Sequence, residues 1–268
     1  MSQFKIAIPS YKRAEILRDK TLKVLESYDI DPSIVTIFVA NDEEKVHYTN
    51  VLSSNKYASN IVVGVEGLGP VRNWISREYY DEGEYIVNMD DDIIEIQKFV
   101  SKKEKLSRVE NFVKEVIEPG FKACEENNAY LWGVYAAANS FYMDERIVKG
   151  LYYIIGSLWG NINRHSEDLV LTLEDKEDFE RTLQYYDKDG LVIRNNSITV
   201  ETEYYAHSGG MFVTRTEERI TKSAENLVAR YPEYCSMYFR KTTGHAELKL
   251  RGKVKPPKAS IVTMDDFF

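Results

Sequence analysis

The residues of this chain best suited to chemistry are three consecutive aspartates, Asp90, Asp91 and Asp92, delivered by the apolar, β-prone run Tyr85-Ile-Val-Asn-Met89. Crowding carboxylates costs stability, because each disfavours ionisation of its neighbours unless a cation neutralises them. Alternate positions of an extended chain share a face, so Asp90 and Asp92 are expected to point together and Asp91 away. Oxygen ligands on one face suit a hard divalent ion, Mg²⁺ or Mn²⁺, that completes its shell with substrate phosphates. A solvated acidic turn after a strand is the plain alternative.

The elements that must position these groups follow from hydrophobic patterning. Strands are expected at Phe4–Pro9, Ile34–Ala40, Asn60–Val65 and Tyr85–Met89, with helices at Ala14–Tyr28, Glu43–Ser54 and Val71–Tyr80 between them. Gly67-Leu-Gly-Pro70 reads as a tight turn that opens the last of these helices, since proline is tolerated in a first helical turn. Farther on, the pattern predicts helices at Val109–Glu126 (kinked near Pro119), Glu177–Asp189 and Thr216–Arg230, and strands at Leu131–Ala138, Leu151–Trp159 and Leu191–Val200. Alternation of strand and helix predicts an α/β fold, a mostly parallel sheet flanked by helices. In such sheets ligands gather at the carboxyl ends of strands, where Pro9-Ser10, Asn41-Asp42, Glu66-Gly67 and Asp90–Asp92 all fall.

A chain of 268 residues with 43% hydrophobic and 29% charged residues can bury a full core in one domain. Two cysteines, Cys124 and Cys235, form no disulfide framework and no metal-ligand spacing. With no basic, apolar leader and no run of membrane-spanning length, a soluble cytoplasmic protein is expected. The net charge of −8 argues against general coating of nucleic acid, yet Tyr238–Lys258 carries seven Lys/Arg against Glu247 alone. Such a basic segment marks either a phosphate-backbone contact or a solvated tail balancing an acidic body.

No glycine-rich loop follows the first strand, and no Gly-Lys-Ser/Thr occurs, which argues against Rossmann dehydrogenases and Walker-type NTPases. Pro9-Ser-Tyr-Lys-Arg13 also matches a sugar nucleotidyltransferase loop poorly. The stretches Ile6-Ala-Ile-Pro-Ser-Tyr-Lys-Arg13, Val39-Ala-Asn-Asp42, Gly67-Leu-Gly-Pro-Val-Arg-Asn-Trp74 and Asn88-Met-Asp-Asp-Asp92 together resemble the glycosyltransferases of the GT-A fold. More narrowly, Gly-Pro-Val-Arg-Asn-Trp74, Glu177-Asp-Phe-Glu-Arg-Thr-Leu183 and Gly209-Gly-Met211 resemble the TET-associated glycosyltransferases of phages, which modify hydroxymethylated pyrimidines in DNA.

The resemblance implies a single glycosyltransferase domain with a nucleotide-sugar and metal half over residues 1–100 and an acceptor half over 101–268. It implies that Pro9, Ser10 and Arg13 hold the nucleoside, and that Asp42 meets base or ribose. Arg72 and Asn73, at a helix N-terminus, would meet the diphosphate, with Asp90 and Asp91 beside it and Asp90 and Asp92 on the ion. For Arg72 a surface ion pair with Glu66 or Asp92 is the alternative. Glu177 and Asp178 match the place of a general base in inverting enzymes of this fold, Asp178 ahead of Glu177, although acids in a first helical turn also favour the helix dipole. A further metal ligand would come from His207 or His245, with His47 and His165 less well placed.

The expected activity is transfer of a sugar, from a donor expected to be UDP-linked, to a hydroxyl of a hydroxymethylated pyrimidine such as 5-hydroxymethylcytosine in DNA. The expected cofactor is Mn²⁺ or Mg²⁺, and the expected partners are a nucleotide sugar and DNA, with no membrane. A saccharide or lipid-linked acceptor, and a non-catalytic nucleotide-binding module, remain open alternatives.

Overall fold

A computed structural model describes residues 3–202, 216–241 and 243–251. The aliphatic run Phe4–Pro9 forms β1, and the helix expected after it is split into α1 (Ala14–Asp19) and α2 (Thr21–Ser27). The split falls at Lys20, with φ −118° and ψ −94°, and leaves Thr21 fully buried. Next come β2 (Val35–Val39), α3 (Asp42–Val51), β3 (Ile61–Val63), α4 (Leu68–Trp74, continued by one π-helical turn) and β4 (Tyr85–Met89). Asn41 caps α3 by accepting the Glu44 N–H at 2.9 Å, and Gly67 enters α4 at φ +97°, a conformation that favours glycine.

The second part of the chain is richer in strands than its patterning suggests. It contains β5 (Ile93–Lys98), β6 (Ser107–Arg108), α5 (Glu118–Asn127), β7 (Leu131–Tyr135), β8 (Ile147–Gly150), β9 (Leu158–Ile162), α6 (Glu177–Asp189), β10 (Val192–Thr202), α7 (Glu217–Arg230), β11 (Cys235–Phe239) and β12 (Ala246–Leu250). A π-helical turn at Val113–Ile117 precedes α5, where Pro119 sits in the first turn. The aliphatic stretch at 151–157 is not a strand. It is an irregular crossing in which only Leu158 onward pairs, Met89 opposite Leu158 and Asn88 opposite Trp159. The basic segment is not wholly a tail, since Ala246–Leu250 pairs antiparallel with β11 and buries Ala246 and Leu248 against the α7 side.

One sheet runs in the order β3-β2-β1-β4-β9-β7-β10-β5-β6, with β8 also paired to β10. The first four strands are mutually parallel, as βα crossovers require, and β7 is parallel to β10; the other pairings are antiparallel. Along β4 the side chains alternate. Val87 and Met89 enter a core shared with Leu22 and Leu25 of α2 and Phe121 of α5, whereas Ile86 packs beneath Val71 and Ile75 of the α4 layer. That alternation puts Asn88 on the α4 side, together with whatever follows on the same face. No helix of the described residues is long and apolar enough to cross a membrane.

Candidate functional site

Because β4 ends at Met89, the three aspartates lie in the turn to β5 and not on the strand itself. Thr21 fixes that turn: its hydroxyl donates to the Asp90 carbonyl at 2.7 Å and accepts the Ile93 N–H at 3.0 Å. The break between α1 and α2 is what delivers this side chain. The turn keeps the expected division of faces, with Asp90 and Asp92 retaining 34% and 16% side-chain exposure against 6% for Asp91. Asp91 accepts from Ser10 Oγ at 2.6 Å and pairs with Arg13 at 3.0 Å, while the other Arg13 nitrogen reaches Asp92 at 2.8 Å. Tyr48 of α3 ties the β1 loop to this group, its hydroxyl lying 2.7 Å from Ser10 Oγ and accepting the Arg13 N–H at 3.0 Å.

The electrostatics follow from crowding and burial. Burial pushes the Asp90 carboxyl up to about 7, opposed by Arg72 and reinforced by Asp92, Asp91 and Glu177. Burial likewise raises Asp91 to about 6 in spite of Arg13 and the Ser10 hydrogen bond. A cation between the open carboxylates, Asp90 and Asp92, would relieve this repulsion. These two partly exposed carboxylates are the oxygen donors that this turn offers to a hard cation such as Mn²⁺ or Mg²⁺. Among the described residues no group of three or more Asp, Glu, His or Cys is assembled for a metal. His245 lies in the β11–β12 hairpin, 3.8 Å from Glu217 of α7, and does not join the aspartates; His207 lies outside the described residues.

Arg72 connects the aspartates to a second pair of carboxylates. The sequence places it at a helix N-terminus facing a diphosphate, or on the surface. Instead α4 starts at Leu68, and Arg72, in the second turn, is only 5% exposed. Nη1 donates to Glu177, and Nη2 donates to Asp90 at 3.0 Å and to the Gly156 carbonyl at 3.1 Å. A Cβ at Gly156 would stand 3.3 Å from Glu177 Oε1 and 3.5 Å from Arg72 Nη1, so the loop packs closely against this ion pair. Asn73 does not face the same space. Its amide brackets the backbone of Leu171, donating to the carbonyl and accepting the N–H, each at 2.8 Å.

Glu177 and Asp178 open α6, as expected, but with different duties. Glu177 is buried and committed to Arg72. Asp178 is less buried; it accepts the Phe179 N–H at 2.9 Å through Oδ1 and the Tyr153 hydroxyl through Oδ2. Burial raises the Asp178 carboxyl, Glu177 adds to the rise, and Tyr153 and Arg181 oppose it. Arg181, one turn along α6, lies 3.9 Å over the Trp159 ring. Asp42, first residue of α3, stays exposed at the end of β2, and Pro9 ends β1 beside Ser10.

Thr21, Tyr48, Tyr153 and Arg181 escape a reading of the sequence. For Arg181 there is a faint signal: it follows Asp178 and Glu177 by three and four positions, a spacing that on a solvated helix marks an ordinary ion pair. Tyr153 stands in an apolar run that reads as a strand.

No family model and no curated protein matches the sequence. Solved structures do match in shape. The TarS of S. aureus, residues 1–349 in complex with UDP-GlcNAc, superposes with a TM-score of 0.52 at 14% identity over 84% of this chain and 66% of that one. The same TarS piece without ligand gives 0.48 at 13% identity over 74% and 59%. A mannosyltransferase from Pyrobaculum calidifontis, in complex with GDP-Man and Mn²⁺, gives 0.37 at 12% identity over 59% and 44%. The chain thus spans just under two thirds of the TarS piece that it resembles. At this identity the likeness establishes the fold: an α/β architecture of the GT-A type, one sheet flanked by helices, with the aspartates at the carboxyl end of its fourth strand.

Proposed function

We propose that this protein is a metal-dependent glycosyltransferase that uses a nucleotide sugar, UDP-linked by preference. The observation that carries the reading is the Arg72 bridge. Arg72 reaches Glu177, at the start of α6, across 105 residues of sequence and also holds Asp90, at the end of β4, and so links a metal-type carboxylate turn to the helix start that carries a raised-pKa carboxylate, Asp178. Asp90 and Asp92 would hold Mn²⁺ or Mg²⁺, which would supply charge neutralisation for the departing diphosphate. Pro9, Ser10, Arg13 and Asp42 border the nucleoside, with Asp91 holding Ser10 and Arg13 in place. Asp178 takes the proton of the acceptor hydroxyl as the new glycosidic bond forms, and the Tyr153 hydroxyl orients it. Arg72 and Glu177 serve as positioning residues, and Asn73 ties the 171 segment to α4.

For the acceptor we propose a hydroxymethylated pyrimidine of DNA, on the strength of the motif resemblance and of the basic segment. Part of that segment is engaged internally, since Arg240 pairs with Glu247 at 2.8 Å; Lys249 and Arg251 lie nearby in sequence, and Lys253, Lys255 and Lys258 lie outside the described residues. Mass spectrometry of hydroxymethylcytosine-containing DNA incubated with a panel of nucleotide sugars tests this part. A mass increment on a saccharide acceptor, and none on DNA, would replace it.

Asp92→Ala tests the core of the proposal. Donor turnover should fall below detection, and Mn²⁺-dependent UDP binding by calorimetry should vanish, while the circular dichroism spectrum is kept. Near-normal turnover with unchanged Mn²⁺ dependence would remove the metal assignment, and UDP binding without any turnover in the unaltered protein would leave a binding module.

A further inference from the structure

Behind Arg72, on the α4–α6 side of the sheet, lies a narrow cavity of about 40 Å³ whose wall includes Arg72, Arg77, Arg164 and Arg181 and no carboxylate. Three of these arginines have acidic partners that are not part of the wall: Asp90 and Glu177 for Arg72, Glu167 for Arg77, Asp189 for Arg164. Arg181 has no carboxylate within ion-pair distance among the described residues, its charge being offset only at longer range by Glu177 and Asp178 of the preceding turn. It is 2% exposed, and its Nη2 makes only long hydrogen bonds to the carbonyls of Ile154 at 3.3 Å and Ile155 at 3.4 Å. Six nitrogens on this wall lack a hydrogen-bond acceptor: Nε and Nη1 of Arg181, Nε of Arg72 and of Arg164, Nη1 of Arg77 and Nε1 of Trp159.

Buried polar groups are normally paired, and a buried guanidinium with unmet donors and no counter-charge in contact is costly for a fold to carry. Water could satisfy the N–H groups but would add no charge in contact with the guanidinium. A cavity of this size has room for about three water-sized bodies, since each needs roughly 10–15 Å³. An anion with its own hydration, or one compact oxyanion, satisfies donors and charge together, and planar guanidinium forks suit oxyanions well.

We propose that this cavity is a binding site for a small inorganic anion, halide or tetrahedral oxyanion in size, held by Arg181 with Arg72, Arg164 and Trp159. The anion would stand behind the Arg72 bridge, separate from the diphosphate, and fix the two guanidiniums that organise Asp90, Glu177 and Asp178. The inference does not depend on the reaction proposed above.

Two measurements on the whole chain test it. Crystals soaked in bromide, and others in selenate, should show an anomalous peak in the cavity for at least one of the two, which also separates halide from oxyanion; the peak should survive addition of UDP. Melting temperature in gluconate buffer of constant ionic strength should rise on titration with that anion, by about 5 °C at a hundredfold excess over its dissociation constant. Arg181→Met should lose this rise, without the lowered melting point in gluconate alone that a merely structural arginine would predict. Waters alone in both soaks, a peak displaced by UDP, or an equal rise in Arg181→Met would each overturn the proposal.

Discussion

Two carboxylate clusters meet at Arg72, and they are held by opposite means. The aspartate turn after β4 is fixed largely by neighbours at strand ends: Ser10 and Arg13 from the β1 loop and Thr21 from the helix break. Its outer members, Asp90 and Asp92, remain partly open. The start of α6 is closed at Glu177 and tied down at Asp178. Glu177 is buried against Arg72 and Gly156, and Asp178 is held by Tyr153 from the irregular crossing before β9. The comparison teaches a division of labour. Carboxylates crowded against one another are suited to an exchangeable cation, whereas one held by neutral donors, the Tyr153 hydroxyl and the Phe179 N–H, is suited to accepting a proton.

Cutting the link between the clusters should have the largest effect. Arg72→Ala leaves Asp90 and a buried Glu177 without their cation, and breaking such a pair by removing one member costs about 3–5 kcal/mol. Chemical denaturation should show this loss, and Arg72→Lys should restore only part of it, because an ammonium cannot fork to Glu177 and Asp90 together. An unchanged denaturation midpoint in Arg72→Ala would show that the two clusters stand independently.

The aspartate turn can be probed alone through pH. Asp91 has its folded pKa raised to about 6 from the ordinary 3.8. The folded state therefore binds more protons than the unfolded state between these values. Stability contributed by the protonated group is present below about 4 and is lost as pH rises through 6. The expected decline is roughly 2–3 kcal/mol, at 1.36 kcal/mol per pKa unit. Asp91→Asn should flatten that part of the stability profile, leaving the component from Asp90, which runs in the same direction. A profile that rises over this interval in the unaltered protein would contradict the crowding argument.

The α6 cluster is probed by Asp178→Asn. Transfer should slow by roughly a hundredfold while UDP and metal affinity stay nearly intact, the scale of a lost general base. Steady-state rates and a UDP titration on the same variant separate the two. Since burial raises this carboxyl, the unaltered enzyme should gain rate with rising pH until the group is ionised. Equal rates in the two proteins would reduce the acidic run to a helix start, its other expected role.

The sequence by itself determined the parallel strands β1 to β4, the helix from Glu177 to Asp189 and the division of the three aspartates into open and inward members. These depend on local patterning: a continuous β-branched run, apolar spacing with Gly190 as cap, and the geometry of residues one and two apart. The irregular 151–157 crossing was illegible, because its aliphatic residues do read as a strand, and only the arginines that take its carbonyls reveal why it is not. The β11–β12 hairpin hid in a basic stretch whose charge masks the alternation of Ala246 and Leu248. Only the tertiary structure decided the partners of Arg72, Arg181, Thr21 and Tyr153. A guanidinium or hydroxyl carries no local preference for one acceptor over another, so its partner is settled by which distant segments the packed sheet brings within 3 Å.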